Sequence, residues 1–297
     1  MTTSAKRVLI TGSRGFTGVY MADEMAAAGY QVIGLGSQPA AGENYVQANL
    51  NDAAALKGHI EVIQPDIVIH LAALAFVGHG DAKAFYDVNL VGTRNLLQSL
   101  ADCKHRPEAV LIASSANVYG NTSEGQLDES TQPQPANDYA VSKLAMEYMA
   151  RLWMQQLPII ITRPFNYTGV GQAENFLIPK IVSHFRRKAD FIELGNIDVS
   201  RDFSDVRSLV AAYRRLIEAK AFGQTVNVCS SRTYSLREII SMSSDLSKHD
   251  LEIRINPDFV RKNEVRTLSG NCGLLRSIIG DWQVPPIEET LHWMLNA

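Results

Sequence analysis

Apolar residues gather in short, uninterrupted runs along the first half of the chain, and longer stretches with helical spacing separate them. The runs are RVLITG (7–12), QVIGLG (31–36), DIVIHLAA (66–73), AVLIASS (109–115) and PIIITRPFN (158–166). They do not alternate apolar with polar residues, so they predict strands covered on both faces, as in a parallel sheet. TGVYMADEMAAAG (17–29), closed by Gly29, and the stretches 52–63, 81–104 and 139–156 predict the intervening helices. Repeated strand–helix–strand units predict an α/β fold, a doubly wound parallel sheet of the Rossmann type with right-handed crossovers. Ligands of such sheets bind beyond the carboxyl ends of the strands.

Beyond residue 167 the pattern loosens, and Gly, Pro and Asn punctuate NYTGVGQAENFLIPK. Helices are predicted at 176–188, 206–219, 235–247 and 286–295, with one returning strand, TVNVCS (225–230). The reading is a dinucleotide-binding domain over 1–166, to which about 203–232 return. A smaller C-terminal α/β substrate-binding domain takes 167–202 and 233–297.

Composition narrows the function classes. The 297 residues are 46% hydrophobic and 20% charged, with a formal net charge of -3. No block of like charges suggests a nucleic-acid partner. The longest apolar-rich run (67–78) is too short to span a bilayer, so no membrane partner is expected. Cys103, Cys229 and Cys272 lie far apart, which suggests reduced thiols. The start carries no signal-like apolar segment, so the expected location is cytoplasmic. No residues have metal-ligand spacing.

The stretch TGSRGFTG places Gly12, Gly15 and Gly18 between the first strand and its helix, with Ser13, Arg14, Phe16 and Thr17 interleaved. Glycines there let backbone approach a pyrophosphate, which the first helical amides bind. The second strand ends at Gly36 and Ser37, without the acid that reads an NAD ribose. Arg14 can pair with a 2′-phosphate instead, so NADP(H) is the preferred cofactor and NAD(H) the alternative. His70 reads as a packed strand-end residue.

Ser115 falls at the end of the 109–115 run, and DYAVSKLAMEY (138–148) holds Tyr139 and Lys143 one helical turn apart. A free tyrosine titrates near 10, and a neighbouring ammonium is expected to lower that value. Together the glycine loop, HLAA (70–73), SSANVYG (114–120), Tyr139-x-x-x-Lys143 and RPFN (163–166) resemble the extended short-chain dehydrogenase/reductases over roughly the first 170 residues. The resemblance implies that Ser115, Tyr139 and Lys143 are catalytic. It also implies that Leu71, Ala72, Ala73, Asn49, Leu50, Asn89 and Pro164 line or support the cofactor site.

RPFNYTGVGQAENFLIPKI and LGNIDVSRDFSDVRSLVAAY extend the resemblance to the nucleotide-sugar branch, most of all to GDP-4-keto-6-deoxy-mannose reductases. By position, Asn117, Asn166, Asn175, Lys180, Arg201, Arg261 and Glu264 would then bind the nucleotide sugar, a GDP-hexose. The implied reaction is NADPH-dependent reduction of a C4 ketone. A 4-epimerase, a 4,6-dehydratase and a non-catalytic NADP-sensing protein are the competing readings. Dehydratases of this kind carry acids just after the catalytic Ser or Thr, where this chain has Ala116 and Asn117. The resemblance also implies a homodimer joined through helices 81–104 and 139–156.

Overall fold

The computed structural model describes residues 5–39, 42, 44–75, 81–121, 125–259 and 267–297. The chain opens with β1 (Arg7–Thr11), α1 (Phe16–Ala27), β2 (Gln31–Gly36), β3 (Tyr45–Gln47), α2 (Ala53–Ile63) and β4 (Ile67–His70). It continues with α3 (Ala82–Tyr86), α4 (Thr93–Asp102), β5 (Ala109–Ala113), β6 (Gln126–Leu127), α5 (Asp138–Arg151), β7 (Ile159–Pro164) and β8 (Asn166–Thr168). Next come α6 (Leu177–Arg186), β9 (Phe191–Leu194), β10 (Ser200–Asp205), α7 (Val206–Glu218) and β11 (Thr225–Val228). The last elements are β12 (Thr233–Ser235), α8 (Leu236–Ser247), β13 (Glu252–Ile255), β14 (Thr267–Gly270), α9 (Gly273–Ile279) and α10 (Ile287–Leu295).

Seven strands form one parallel sheet in the order β11-β7-β5-β4-β1-β2-β3. Strands β1, β4, β5 and β7 are buried on both sides, which explains their unbroken apolar runs, whereas β2 and the edge strand β3 are partly exposed. Val8 and Ile10 face a core shared with α1, α7 and α9, while Leu9 between them faces a second core with α2, α4 and α5. A third core lies among α6, α8 and α10. Strand order reverses at β1, which pairs with β2 on one side and β4 on the other. That reversal opens a crevice at the carboxyl ends of β1 and β4. A second sheet of β12, β10, β14 and β6, with β8 alongside β10, stands beyond it.

Two predicted helices differ from the observed ones. The stretch 81–104 is not one helix, because a π-helical segment (Asp87–Gly92) separates α3 from α4. Tight packing accompanies the change, since a Cβ on Gly92 would lie 2.9 Å from Leu50 Cβ. α5 ends at Arg151 instead of 156, and turns closed by short-range bonds such as Trp153 N to Ala150 O follow. Among the described residues, no helix is long and apolar enough to cross a membrane.

Candidate active site

A cavity of about 480 Å³ occupies the crevice. Its wall includes the glycine loop, Leu71, Ala73, Ser115, Asn117, Tyr139, Lys143, Pro164 and Asn166.

The loop needs its glycines for stated reasons. Gly12 has φ +68° and its Cβ would lie 2.8 Å from Ala72 N. On Gly18 a Cβ would lie 2.1 Å from the Gly12 carbonyl oxygen. No side chain caps α1 and no acid sits in its first turn. The free amides and positive dipole end at the cavity wall fit a diphosphate. The residues present therefore fit a dinucleotide.

Tyr139 and Lys143 reach the cavity because Asn137 caps α5, accepting from Ala140 N at 2.9 Å, and because the helix turns this face inward. Ser115 caps the 3₁₀ turn Ala116–Tyr119 and accepts from both the backbone and side-chain nitrogens of Asn117 at 3.1 Å. Burial pushes the Tyr139 hydroxyl up to about 12, against a smaller opposing effect of its hydrogen bond with Ser115. The expectation that this value is lowered is therefore corrected: it is raised, and loss of solvent is the largest cause. Burial also brings the Lys143 ammonium down to about 8, and Lys143 Nζ donates to Ala113 O at 2.6 Å. The Tyr139 hydroxyl is thus protonated at neutral pH.

Buried networks hold this group. Asn89, inside the π-helical segment, accepts from Leu74 N at 2.9 Å and donates to Ser142 Oγ at 3.0 Å. It lies behind the cavity and braces the backbone on either side, as π-helical residues near functional sites often do. His70 bridges Thr11 Oγ1 at 2.7 Å and Thr93 Oγ1 at 2.8 Å. Burial lowers its value to about 3, which keeps it neutral and structural.

Below the cavity floor, Arg163 makes a two-pronged pair with Glu147 at 2.9 and 2.6 Å. Both side chains are almost completely buried, at 3% and 1% exposure. Ser114 Oγ donates to the same carboxylate at 2.6 Å, and Arg163 Nη1 donates to Tyr119 at 3.0 Å. The pair fastens α5, which carries Lys143, to β7, which carries Pro164, and through Ser114 to the chain just beyond β5, next to Ser115. Glu147 lies four residues after Lys143, so its place on the buried face was readable from spacing. Its partner was not.

The remaining candidates are scattered. Arg14 leans over the ring of Tyr45 at the far end of the loop, its guanidinium carbon 4.5 Å from the ring centre. Ser13 packs against Gly34, where a Cβ would meet Ser13 Oγ at 2.4 Å. Asn49 is exposed after β3 and accepts from Asn51 N, whereas Leu50 is buried. Asn175 is exposed in the loop before α6, between the cavity residues Ala173 and Phe176. Lys180 lies off the cavity wall, with its ammonium on Glu193 O at 2.7 Å and over the Phe259 ring. Arg201 stands on β10, two residues before Phe203, the register partner of Asn166. Arg261 and Glu264 lie outside the described residues. Tyr167, which no motif singled out, closes the cavity over the loop by bonding Thr17 at 2.8 Å and stacking on Phe16.

Residues 9–285 match the family model described as GDP-mannose 4,6 dehydratase. The GDP-6-deoxy-D-talose 4-dehydrogenase of Aggregatibacter actinomycetemcomitans is 34% identical, over 97% of this chain and 96% of that protein. The GDP-6-deoxy-D-mannose reductase of Pseudomonas aeruginosa is 33% identical, over 98% and 96%. Among solved structures, RMD from Pseudomonas aeruginosa complexed with NADPH superposes with a TM-score of 0.87 at 33% identity, covering 98% of both chains. A candidate epimerase from Burkholderia cenocepacia J2315 superposes with a TM-score of 0.93 at 50% identity, covering 98% of this chain and 97% of that one. Motifs, sheet order and these likenesses agree: the chain is an oxidoreductase of the GDP-mannose 4,6 dehydratase family, within the extended short-chain dehydrogenase/reductases.

Proposed function

We propose that the protein is an NADPH-dependent reductase acting on the C4 ketone of a GDP-linked 4-keto-6-deoxyhexose, with GDP-4-keto-6-deoxy-D-mannose to GDP-D-rhamnose as the leading reaction. The observation that carries this reading is Tyr139, held protonated by burial beside Ser115 and Lys143 in a cavity that begins at a phosphate-type loop. Two relatives matched along nearly their whole length bear names of GDP-6-deoxy-sugar oxidoreductases, which supports the substrate class. The NADPH of a 33%-identical neighbour and the absence of an acid at Gly36 and Ser37 support the cofactor.

Bound NADPH supplies the hydride. Ser115 orients the C4 oxygen, and its own hydroxyl is positioned by Asn117. As negative charge develops on that oxygen, Tyr139 gives up its proton to it. The charge left on Tyr139 is stabilised by Lys143 while that ammonium stays protonated. Asn166 on the cavity wall, with Asn175 and Arg201 nearby in the fold, is assigned to the nucleotide sugar. Ala116 and Asn117 supply no acid for eliminating water, which argues against dehydration.

The reaction is tested by supplying NADPH with GDP-, UDP- and dTDP-linked 4-keto-6-deoxy sugars and following coenzyme oxidation and product configuration. Oxidation only with the GDP sugar and a rhamno product support the assignment. The talo product, its C4 epimer, redirects the reaction towards the chemistry named for the Aggregatibacter protein. A 4-epimerase is the second reading, favoured by the name of the 50%-identical neighbour. It predicts sugar conversion without net coenzyme oxidation.

The pH dependence has a definite sign. Lys143 is charged below about 8 and neutral above it. Reductive kcat is therefore expected to be level near neutrality and to fall by one proton's slope as pH rises through about 8. A rate that climbs through that range contradicts the role given to Lys143.

A homodimer is also proposed. Val91, Val141, Tyr148 and Leu152 are exposed on the π-helical segment, α5 and the turn that follows, with Leu152 78% exposed. Leu152→Glu is expected to shift sedimentation from dimer to monomer. A wild-type monomer contradicts the assignment.

A further inference from the structure

The end of β2 departs from an acid-bearing strand end in a way that involves a second residue. A Cβ on Gly36 would lie 2.8 Å from Tyr45 Oη. A Cβ on Gly34 would lie 3.1 Å from Tyr45 Cδ2. The Tyr45 ring thus lies along both glycines of β2, in register with Gly34 across the β2–β3 pair. Its hydroxyl donates to Gln38 O at 2.9 Å, which anchors the far end of the ring. The ring face carries the Arg14 guanidinium at 4.5 Å, and Arg14 Nη1 makes a long bond of 3.4 Å to Pro39 O. Stacking fixes the plane of a guanidinium while leaving most of its N–H edge free for an anion.

We propose that Tyr45 is a positioning and specificity-determining residue for the coenzyme: its ring holds Arg14 in place for a 2′-phosphate and fills the space an acidic side chain at position 36 would need. The inference rests on the NADPH reading above and extends it. Two modes of ribose recognition exclude one another here. An acid at position 36 must displace the Tyr45 hydroxyl, and displacing it breaks the bond to Gln38 and takes the platform from under Arg14. Glycine at position 36 and tyrosine at position 45 therefore form one device. The missing acid is required by the ring, not merely permitted.

The test compares NADPH and NADH affinities, by titration of the whole protein, for wild type, Tyr45→Phe, Tyr45→Ala, Gly36→Asp and Gly36→Asp/Tyr45→Ala. Wild type is expected to favour NADPH. Tyr45→Phe keeps the ring and most of the preference. Tyr45→Ala is expected to weaken NADPH about fivefold, the size of a lost cation–π contact at an exposed site, with NADH unchanged. Gly36→Asp is expected to lose NADPH without gaining NADH until Tyr45→Ala is added. A purely structural role for Tyr45 would weaken both coenzymes equally, and that result, or an unchanged preference in Tyr45→Ala, overturns the inference alone. Equal NADPH and NADH affinities in wild type overturn the NADPH reading and the inference with it.

Discussion

Replacing Tyr139 by Phe is expected to lower kcat for ketone reduction by about a thousandfold, the scale of a lost general acid, while NADPH affinity is unchanged. The separation follows from the geometry. The Tyr139 ring packs edge-on against Phe85 with centroids 6.0 Å apart, and phenylalanine keeps that contact. Only the hydroxyl is lost, and with it the bond to Ser115 and the proton for the sugar oxygen. Coenzyme titration and single-turnover reduction on the same sample read the two effects independently. Unchanged turnover removes Tyr139 from the chemistry, and lost NADPH binding shows that the substitution has disturbed the pocket itself.

The second large effect concerns a residue that never touches the cavity. Glu147→Ala leaves the Arg163 guanidinium buried without its carboxylate. Burial works against the Arg163 charge and Glu147 and Tyr119 offset that cost in the wild type, but a guanidinium stays charged without them, so the variant buries an uncompensated cation. Removing one partner of such a pair costs about 3–5 kcal/mol, whereas an exposed pair is worth about 1 kcal/mol or less. Urea unfolding is expected to show the larger loss. The double variant Glu147→Met/Arg163→Met should be more stable than either single one, since an apolar pair leaves no uncompensated charge. Single-variant losses near 1 kcal/mol would mean that water reaches the pair. In a Glu147→Gln protein that still folds, kcat should fall more than affinity, because Ser114 loses a charged acceptor beside Ser115.

The sequence made some parts of this structure legible and hid others. Strands β1, β4, β5 and β7 were readable because burial on both faces leaves unbroken apolar runs. The glycine loop was readable because only residues without a Cβ fit against Ala72 and the Gly12 carbonyl. Tyr139 and Lys143 were readable because a helix fixes what lies four residues apart. The π-helical segment around Asn89 was not, since no local pattern distinguishes it from a continuous helix over 81–104. The charge balance at Tyr139 is hidden for a related reason. Spacing shows which groups are neighbours but not how much water they lose, and here water loss decides the direction. The pairings Glu147–Arg163 and Arg14–Tyr45 join residues 16 and 31 positions apart through the sheet, which no local pattern records.

The central claim is that hydride reaches sugar C4 while Tyr139 supplies the proton. It is tested most directly with NADPH carrying deuterium at the transferable position and GDP-4-keto-6-deoxy-D-mannose, with the product sugar read by NMR. The account predicts one deuterium at C4 for each NADPH oxidised, in a product of single C4 configuration. A product without deuterium at C4, or sugar conversion that leaves NADPH unoxidised, contradicts it.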